Sequence, residues 1–292
     1  MNVALFGKSF TPERIPHLLQ LLQSFQDAGA SLVFYKPFAE LISPHLKIPQ
    51  LSDTFLGYED MCNGFDILLS VGGDGTMLDT VPVVRDSGVP ILGINMGRMG
   101  FLSSIAKHEI NEAVERIVSG KYIIEERSLI SLEQPTGLFG DLHVALNELS
   151  VFRQGTTSLI KINVFVDEVF VNSYWADGLL IATPTGSTAY SLSAGGPILT
   201  PDSAVFVITP IATHNLSVRP IVIPDRCLIK LKVTGRHTSY SLNLDSRSAV
   251  IGKSVDLIVK KAGFHIRLVK MEGKDFYTTI REKLLWGIDI RN

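Results

Sequence analysis

Apolar residues over the first 125 or so positions recur in two rhythms. Short unbroken runs at Val3-Ala4-Leu5-Phe6, Leu32-Val33-Phe34-Tyr35, Ile67 to Val71 and Ile91-Leu92-Gly93-Ile94 read as buried strands, and stretches of helical spacing lie between them. Pro12 opens and Gly29 closes a helix expected from about Glu13 to Ala28. A second helix is expected after Thr76, stopped near Gly88, and a third from Glu109 to Ser119, stopped by Gly120. Strand and helix in alternation predict a doubly wound parallel α/β domain. After about Glu126 the rhythm becomes that of strands, with runs at Leu142–Phe152, Leu159–Val166, Leu179–Ala182, Val205–Thr209, Cys227–Val233, Ser239–Leu244 and Val255–Val259. Turn residues separate most of them, which predicts an all-β domain, a β-sandwich, with one helix beginning after Gly186. Phe276, Ile280 and Leu284 fall at i, i+4 and i+8, so the tail is expected to be an amphipathic helix docking on the first domain. The domains expected are residues 1–125, 126–270 and a C-terminal segment, 271–292.

Composition narrows the function. A chain of 292 residues with 46% apolar and 19% charged residues is globular and long enough for two domains. A net charge of −2 makes no case for nucleic acid or an anionic membrane, both of which call for a basic face. Small molecules and copies of the chain itself are the expected partners. No basic stretch precedes a long apolar run at the N-terminus, and no window approaches about 18 uninterrupted apolar residues. A soluble cytoplasmic protein is therefore expected. Cys62 and Cys227 lie far apart, so neither a metal clip nor a disulfide framework is expected.

Gly72-Gly73-Asp74-Gly75-Thr76 stands where a strand hands over to a helix, the place where open α/β sheets bind ligands. Glycine removes the Cβ that would hold a phosphate away from backbone N–H groups, and a helix N-terminus adds donors. A carboxylate there suits taking a proton from an attacking hydroxyl or holding a divalent metal; capping the helix is the structural alternative. A second dense stretch runs from Asp177-Gly178 through Thr183-Pro184-Thr185-Gly186-Ser187-Thr188-Ala189-Tyr190 to Gly195-Gly196-Pro197. Ser187 or Thr188 is positioned to cap a helix, Tyr190 to stack on a base, and Ser191 and Ser193 to bond ribose or amide groups. Gly7-Lys8-Ser9 and Gly252-Lys253-Ser254 imitate the end of a Walker P-loop, but Asn2 and Arg247 occupy the positions where its first glycine belongs. Gly73-Asp74-Gly75 would open a dinucleotide fingerprint, yet Leu78 replaces the third glycine.

Taken in order, Gly-Gly-Asp-Gly-Thr, Gly93-Ile94-Asn95-Met96-Gly97, Gly100-Phe101-Leu102, Asn147-Glu148, Asp177-Gly178, Thr-Pro-Thr-Gly-Ser-Thr-Ala-Tyr and Arg281-Glu282-Lys283-Leu284-Leu285-Trp286-Gly287 resemble the NAD kinases over nearly the whole chain. The resemblance implies transfer of the terminal phosphoryl group of ATP, with a divalent metal expected to be magnesium, to the 2′-hydroxyl of the adenosine ribose of NAD. It implies that Asp74 is the proton acceptor and that Asp74 and Gly75 contact NAD. It also implies that Asn147 and Glu148 hold the adenine-ribose part, that Asp177 binds near the nicotinamide end, and that Thr188, Ala189, Tyr190, Ser191, Leu192 and Ser193 line the pocket. The implied site is a cleft between the two domains, and the implied assembly a homo-oligomer, dimer or tetramer. A ribose hydroxyl is a poor nucleophile, so a carboxylate within hydrogen-bond reach is chemically apt. Trp175 and Asp79 depart from the family, which often has arginine or another basic residue at those positions, and Arg247 stands where several relatives carry an uncharged amide. Arg247 is held as a weaker NAD contact. A lipid or diacylglycerol kinase sharing the glycine motif, and a non-catalytic NAD(P) sensor, are the alternatives.

Overall fold

A computed structural model describes residues 1–46, 51, 53–62, 64–97, 100–103, 105–155, 158–235, 238–273 and 275–286. The chain forms two compact units, one of Met1–Glu126 with the chain from Ile266 onward, the other of Arg127–His265.

The first unit runs β1 (Asn2–Phe6), α1 (Ile15–Asp27), β2 (Ser31–Tyr35), α2 (Lys36–Ile42), β3 (Thr54–Phe55), α3 (Tyr58–Met61), β4 (Ile67–Val71), α4 (Asp74–Leu78), α5 (Val81–Val84), β5 (Ile91–Asn95), β6 (Ile105–Ala106) and α6 (Ile110–Val118). Its strands pair in parallel in the order β5-β4-β1-β2-β3. Every position of β4 and β5 is buried, which is why both read as continuous apolar runs. Leu18, Leu21, Leu22 and Phe25 of α1 and Ile110, Ala113, Val114 and Ile117 of α6 share one spacing and pack on Val3, Leu5, Leu69 and Leu92. Strand order reverses between β1 and β4, so the loops after Phe6 and Val71 leave side by side at the topological switch point. Those loops carry Gly7-Lys8 and Gly72-Gly73-Asp74.

The chain enters the second unit along β7 (Ile123–Gln134) and continues as β8 (Val144–Ala145), β9 (Glu148–Arg153), β10 (Ile160–Val166), β11 (Val169–Ala176), β12 (Gly178–Ala182), α7 (Tyr190–Ser193), β13 (Val205–Ile211), β14 (Ile221–Pro224), β15 (Ile229–Thr234), β16 (Ser239–Leu244), β17 (Arg247–Gly252) and β18 (Asp256–Lys270). A six-stranded antiparallel sheet, β14-β13-β12-β9-β16-β17, packs on a layer containing β11-β10-β15-β18. Alternate residues make the core: Leu149 and Val151, Leu179 and Ile181, and Leu242 and Leu244 meet Ile160, Ile162, Leu231 and Leu257. Strand β18 leads back into the first unit, where α8 (Phe276–Leu284) follows with Asp275 as N-cap and Ile280 buried.

The architecture is therefore the expected α/β domain, β-sandwich and final helix. Several elements differ. The single helix expected between Thr76 and Gly88 is two short ones, because Pro82 has no N–H to donate and its ring clashes with a continuing helix, while the Thr80 hydroxyl bonds Met77 O at 2.6 Å. The helix expected after Gly186 is a 3-10 turn, Thr185–Thr188, followed by the single turn of α7. The run expected as one strand from Leu142 to Phe152 breaks at Leu146-Asn147, whose N–H groups go to a side chain, Asp245, instead of a neighbouring strand. Gly287, the last residue of the C-terminal motif, lies outside the described residues.

Leu242 has no exposed surface and sits in the sandwich core, so Leu242→Ala is expected to cost about 3 kcal/mol. Urea unfolding should show a lower midpoint with an unchanged slope.

Candidate functional site

Asp74 is the first residue of α4, after the N-cap Gly73, and it does not cap its own helix. Its side chain crosses instead to the segment after β5. Oδ2 accepts from Phe101 N at 2.7 Å, and Oδ1 accepts from Leu102 N at 3.1 Å, Ser103 N at 3.2 Å and Ser103 Oγ at 3.3 Å. Asn95, at the end of β5, steadies the same segment by donating to Ser103 Oγ at 3.2 Å and accepting from Gly97 N at 2.6 Å. Two glycines permit this approach: a Cβ on Gly100 would lie 1.9 Å from Asp74 Oδ1, and one on Gly93 2.7 Å from Ser103 Cα. A Cβ on Gly73 or Gly75 would meet nothing within 4 Å, so their backbone faces open space. Lys8, in the loop that imitates the end of a P-loop, pairs with Asp79 at 2.9 Å.

In the second unit, Asn147 and Glu148 lie at the start of β9, beside the end of β12. Asp245, in the two-residue turn between β16 and β17, accepts from Leu146 N at 2.8 Å, Asn147 N at 2.7 Å and Glu148 N at 3.2 Å. From the other side Thr183 Oγ1 donates to Leu146 O at 2.6 Å and Thr183 N to Asn147 O at 2.9 Å. Gly186 is required here too, since a Cβ would fall 2.1 Å from Asn147 O. Glu148 Oε2 is buried without a hydrogen-bond partner. Burial, with the Asp245 charge behind it, pushes the Glu148 carboxyl up to about 7.

Glu148, Ser150 and Phe152 alternate on the face of the sheet turned away from the core, where Asn243 Nδ2 donates to Ser150 Oγ at 3.1 Å. The Thr183–Gly196 segment runs over this face. Tyr190 stacks on Phe152 at 5.9 Å, and the buried Ser191 hydroxyl shares a 2.8 Å hydrogen bond with Thr209. Neither Ser187 nor Thr188 caps a helix: their hydroxyls bond Pro184 O at 2.7 Å and Thr185 O at 3.2 Å, closing the 3-10 turn instead. Thr188, Ala189 and Leu192 are half-buried, while Ser193 and Tyr190 are exposed.

Asp177 precedes β12 and so lies at the opposite end of that strand from Thr183, about 20 Å along the chain. It is held by Arg153 Nε at 2.5 Å. Arg247 donates to Leu142 O at 2.6 Å and to Val144 O, and its guanidinium lies over the Phe139 ring. The structure thus groups Asn147, Glu148 and the Thr183–Ser193 stretch, keeps Asp177 apart, and occupies Arg247 with backbone. Trp175 is exposed under Lys161. Asp245, Arg153 and the N–H groups of Phe101 to Ser103 escaped the sequence reading, because only the fold brings them to their partners. Among the described residues no group of three His, Cys, Asp or Glu could hold a metal, and no helix is long and apolar enough to cross a membrane.

Residues 36–122 match the ATP-NAD kinase N-terminal domain family and residues 146–271 the ATP-NAD kinase C-terminal domain family. The chain is 41% identical to an NAD kinase of Cytophaga hutchinsonii and 43% identical to one of Flavobacterium psychrophilum, in each case over all of both chains. Among solved structures it resembles a yeast NADH kinase complexed with NADH, at 27% identity and a TM-score of 0.87, over 100% of this chain and 89% of that one. It shares a fold with an NAD kinase from Archaeoglobus fulgidus in complex with ATP, at 23% identity and a TM-score of 0.77, over 98% and 99%.

Gly100→Ala should expel the Asp74 carboxylate from its cradle, at a cost of about 1–3 kcal/mol for the hydrogen bonds left unmade. Amide exchange at Phe101, Leu102 and Ser103 should quicken; unchanged protection would rule the cradle out.

Because the Glu148 carboxyl is raised in the folded chain, the folded state holds its proton more tightly than the unfolded state does. Stability from this group is therefore complete below the ordinary glutamate range and is lost as pH rises from there through about 7, a change on the order of 3 kcal/mol. Glu148→Gln removes the titration. The melting temperature of the variant should gain on that of the parent between pH 5 and pH 8, and a constant difference would contradict this.

Proposed function

We propose a mechanism from one premise: the chain belongs to the NAD kinase family and is an enzyme that phosphorylates NAD. Neither the lipid kinase reading nor the sensor reading is favoured by any of the matches. The bond formed joins the terminal phosphoryl group of ATP to the 2′-hydroxyl of the adenosine ribose, and the bond broken is that to the ADP leaving group. A ribose hydroxyl attacks well only when a base orients it and takes its proton.

Asp74 is that base in this reading, and one observation carries it. Oδ1 receives three hydrogen bonds and Oδ2 only one, from Phe101 N, so Oδ2 keeps a lone pair for the hydroxyl while the other contacts fix the direction of the group. The open backbone at Gly73 and Gly75 lets phosphate oxygens come close to N–H groups, which spread charge on the transferring phosphoryl group. Asn147 and Glu148 bind the adenosine part of NAD, Asp177 binds toward the nicotinamide, and Thr188 to Ser193 line the pocket, with Tyr190 offering a stacking face. Gly75 contacts NAD beside Asp74. Arg247 acts through the backbone it braces.

A divalent cation such as magnesium would arrive on the phosphates of ATP, largely hydrated. The enzyme would work in the cytoplasm on these small-molecule substrates, as a homo-oligomer.

Asp74→Asn is expected to abolish NADP formation, because an amide cannot accept the proton. It also turns an N–H donor toward the N–H groups of residues 101–103, so a modest fall in melting temperature should accompany the loss. NAD affinity, measured calorimetrically, should stay within a few-fold. Near-parental turnover would remove Asp74 from the mechanism, and loss of NAD binding together with turnover would assign it a binding role.

A further inference from the structure

We propose that Asp245 is a positioning residue for the dinucleotide: its carboxylate holds the backbone of Leu146, Asn147 and Glu148 so that the Asn147 and Glu148 side chains are presented to NAD. This rests on the reading above, in which those two side chains bind NAD.

Asp245 lies in a two-residue hairpin turn with φ of 51°, a left-handed conformation that aspartate and asparagine take up more readily than other residues with a Cβ. Three consecutive N–H groups point at its two oxygens, and Asp245 N returns a hydrogen bond to Glu148 O at 3.1 Å. Leu146 and Asn147 thereby stand outside the strands, between the end of β8 and the start of β9. Thr183 and Gly186 close on the segment from the opposite side, so its backbone is held on both edges. Arg247, two residues on, binds Leu142 O and Val144 O and fixes the approach to the same segment.

A purely structural clamp would not need the next feature. Glu148 Oε2 is buried with no partner, beside the charge of Asp245. An unpaired acid facing a second acid lowers stability. Hydroxyl donors from a ribose would supply the missing hydrogen bonds. Asp245 thus sets the place of the segment and, through its charge, the proton affinity of Glu148. Asp245 is the charged group that bears on Glu148, and Arg247 in turn bears on Asp245.

Steady-state kinetics of Asp245→Asn, Asp245→Glu and Glu148→Ala, run across pH, test this. Asp245→Asn should raise KM for NAD about tenfold, the equivalent of one well-made hydrogen bond, with a smaller change in kcat. It should also move the titration seen in kcat/KM for NAD to lower pH, since the neighbouring charge is gone. Asp245→Glu keeps the charge but misplaces the oxygens, so KM should rise with that titration left where it was. A folded Asp245→Asn with parental KM and parental pH profile overturns the proposal. If Glu148→Ala raises KM but both Asp245 variants do not, the positioning role alone fails. If Glu148→Ala leaves KM unchanged, the assignment of Asn147 and Glu148 to NAD fails first. Should Asp245→Asn not fold, amide exchange in the unaltered enzyme decides: joint protection of Leu146, Asn147 and Glu148 supports the clamp, and exchange at open-loop rates refutes it.

Discussion

Consecutive backbone N–H groups captured by a single carboxylate hold one loop in each unit. Asp74 takes those of Phe101, Leu102 and Ser103, and Asp245 those of Leu146, Asn147 and Glu148. Chain that leaves a sheet must find other partners for its polar backbone, and a carboxylate supplies several acceptor sites in one place. In the first unit the capture needs Gly100, whose Cβ would collide with the Asp74 carboxylate; in the second, Gly186 lets the Thr183–Ser187 turn close on the Asn147 backbone from the other side.

Reactive placement follows from that geometry. In the first unit the order of strands brings the loops after β1 and β4 together, so Lys8 reaches Asp79 and the glycines before Asp74 border open space. In the second, strand alternation sends Leu149 and Val151 into the core and Glu148, Ser150 and Phe152 to the other face, where Tyr190 and Ser191 meet them or their neighbours. A buried acid on that face costs stability near neutral pH and offers an acceptor to a ligand. The two effects have one cause, an oxygen that the folded chain leaves without a donor.

Much of this was legible in the residue pattern, and the failures have identifiable reasons. Unbroken apolar runs located β1, β2, β4 and β5, while alternation located most of the sandwich strands. Strand β11 went unread because its hairpin turn is Asp167-Glu168, both at positive φ without a glycine to announce it. Pro82 divided a helix whose apolar spacing ran on across it. Asp245 belongs to no contiguous motif, and its partners lie nearly a hundred positions earlier, so no local signal could have singled it out.

The sequence by itself determined the two kinds of domain, the final helix and the residues that carry the family resemblance, because these depend on periodicity and on motifs contiguous in the chain. Only the tertiary structure decided what those residues touch. It turned Asp74 from its own helix toward the 101–103 segment, engaged Arg247 with carbonyls, paired Asp177 with Arg153, and set Asp245 behind Glu148. Each is a meeting of side chain with distant backbone or charge, fixed by strand order and register, and a one-dimensional pattern does not encode which strand ends come together.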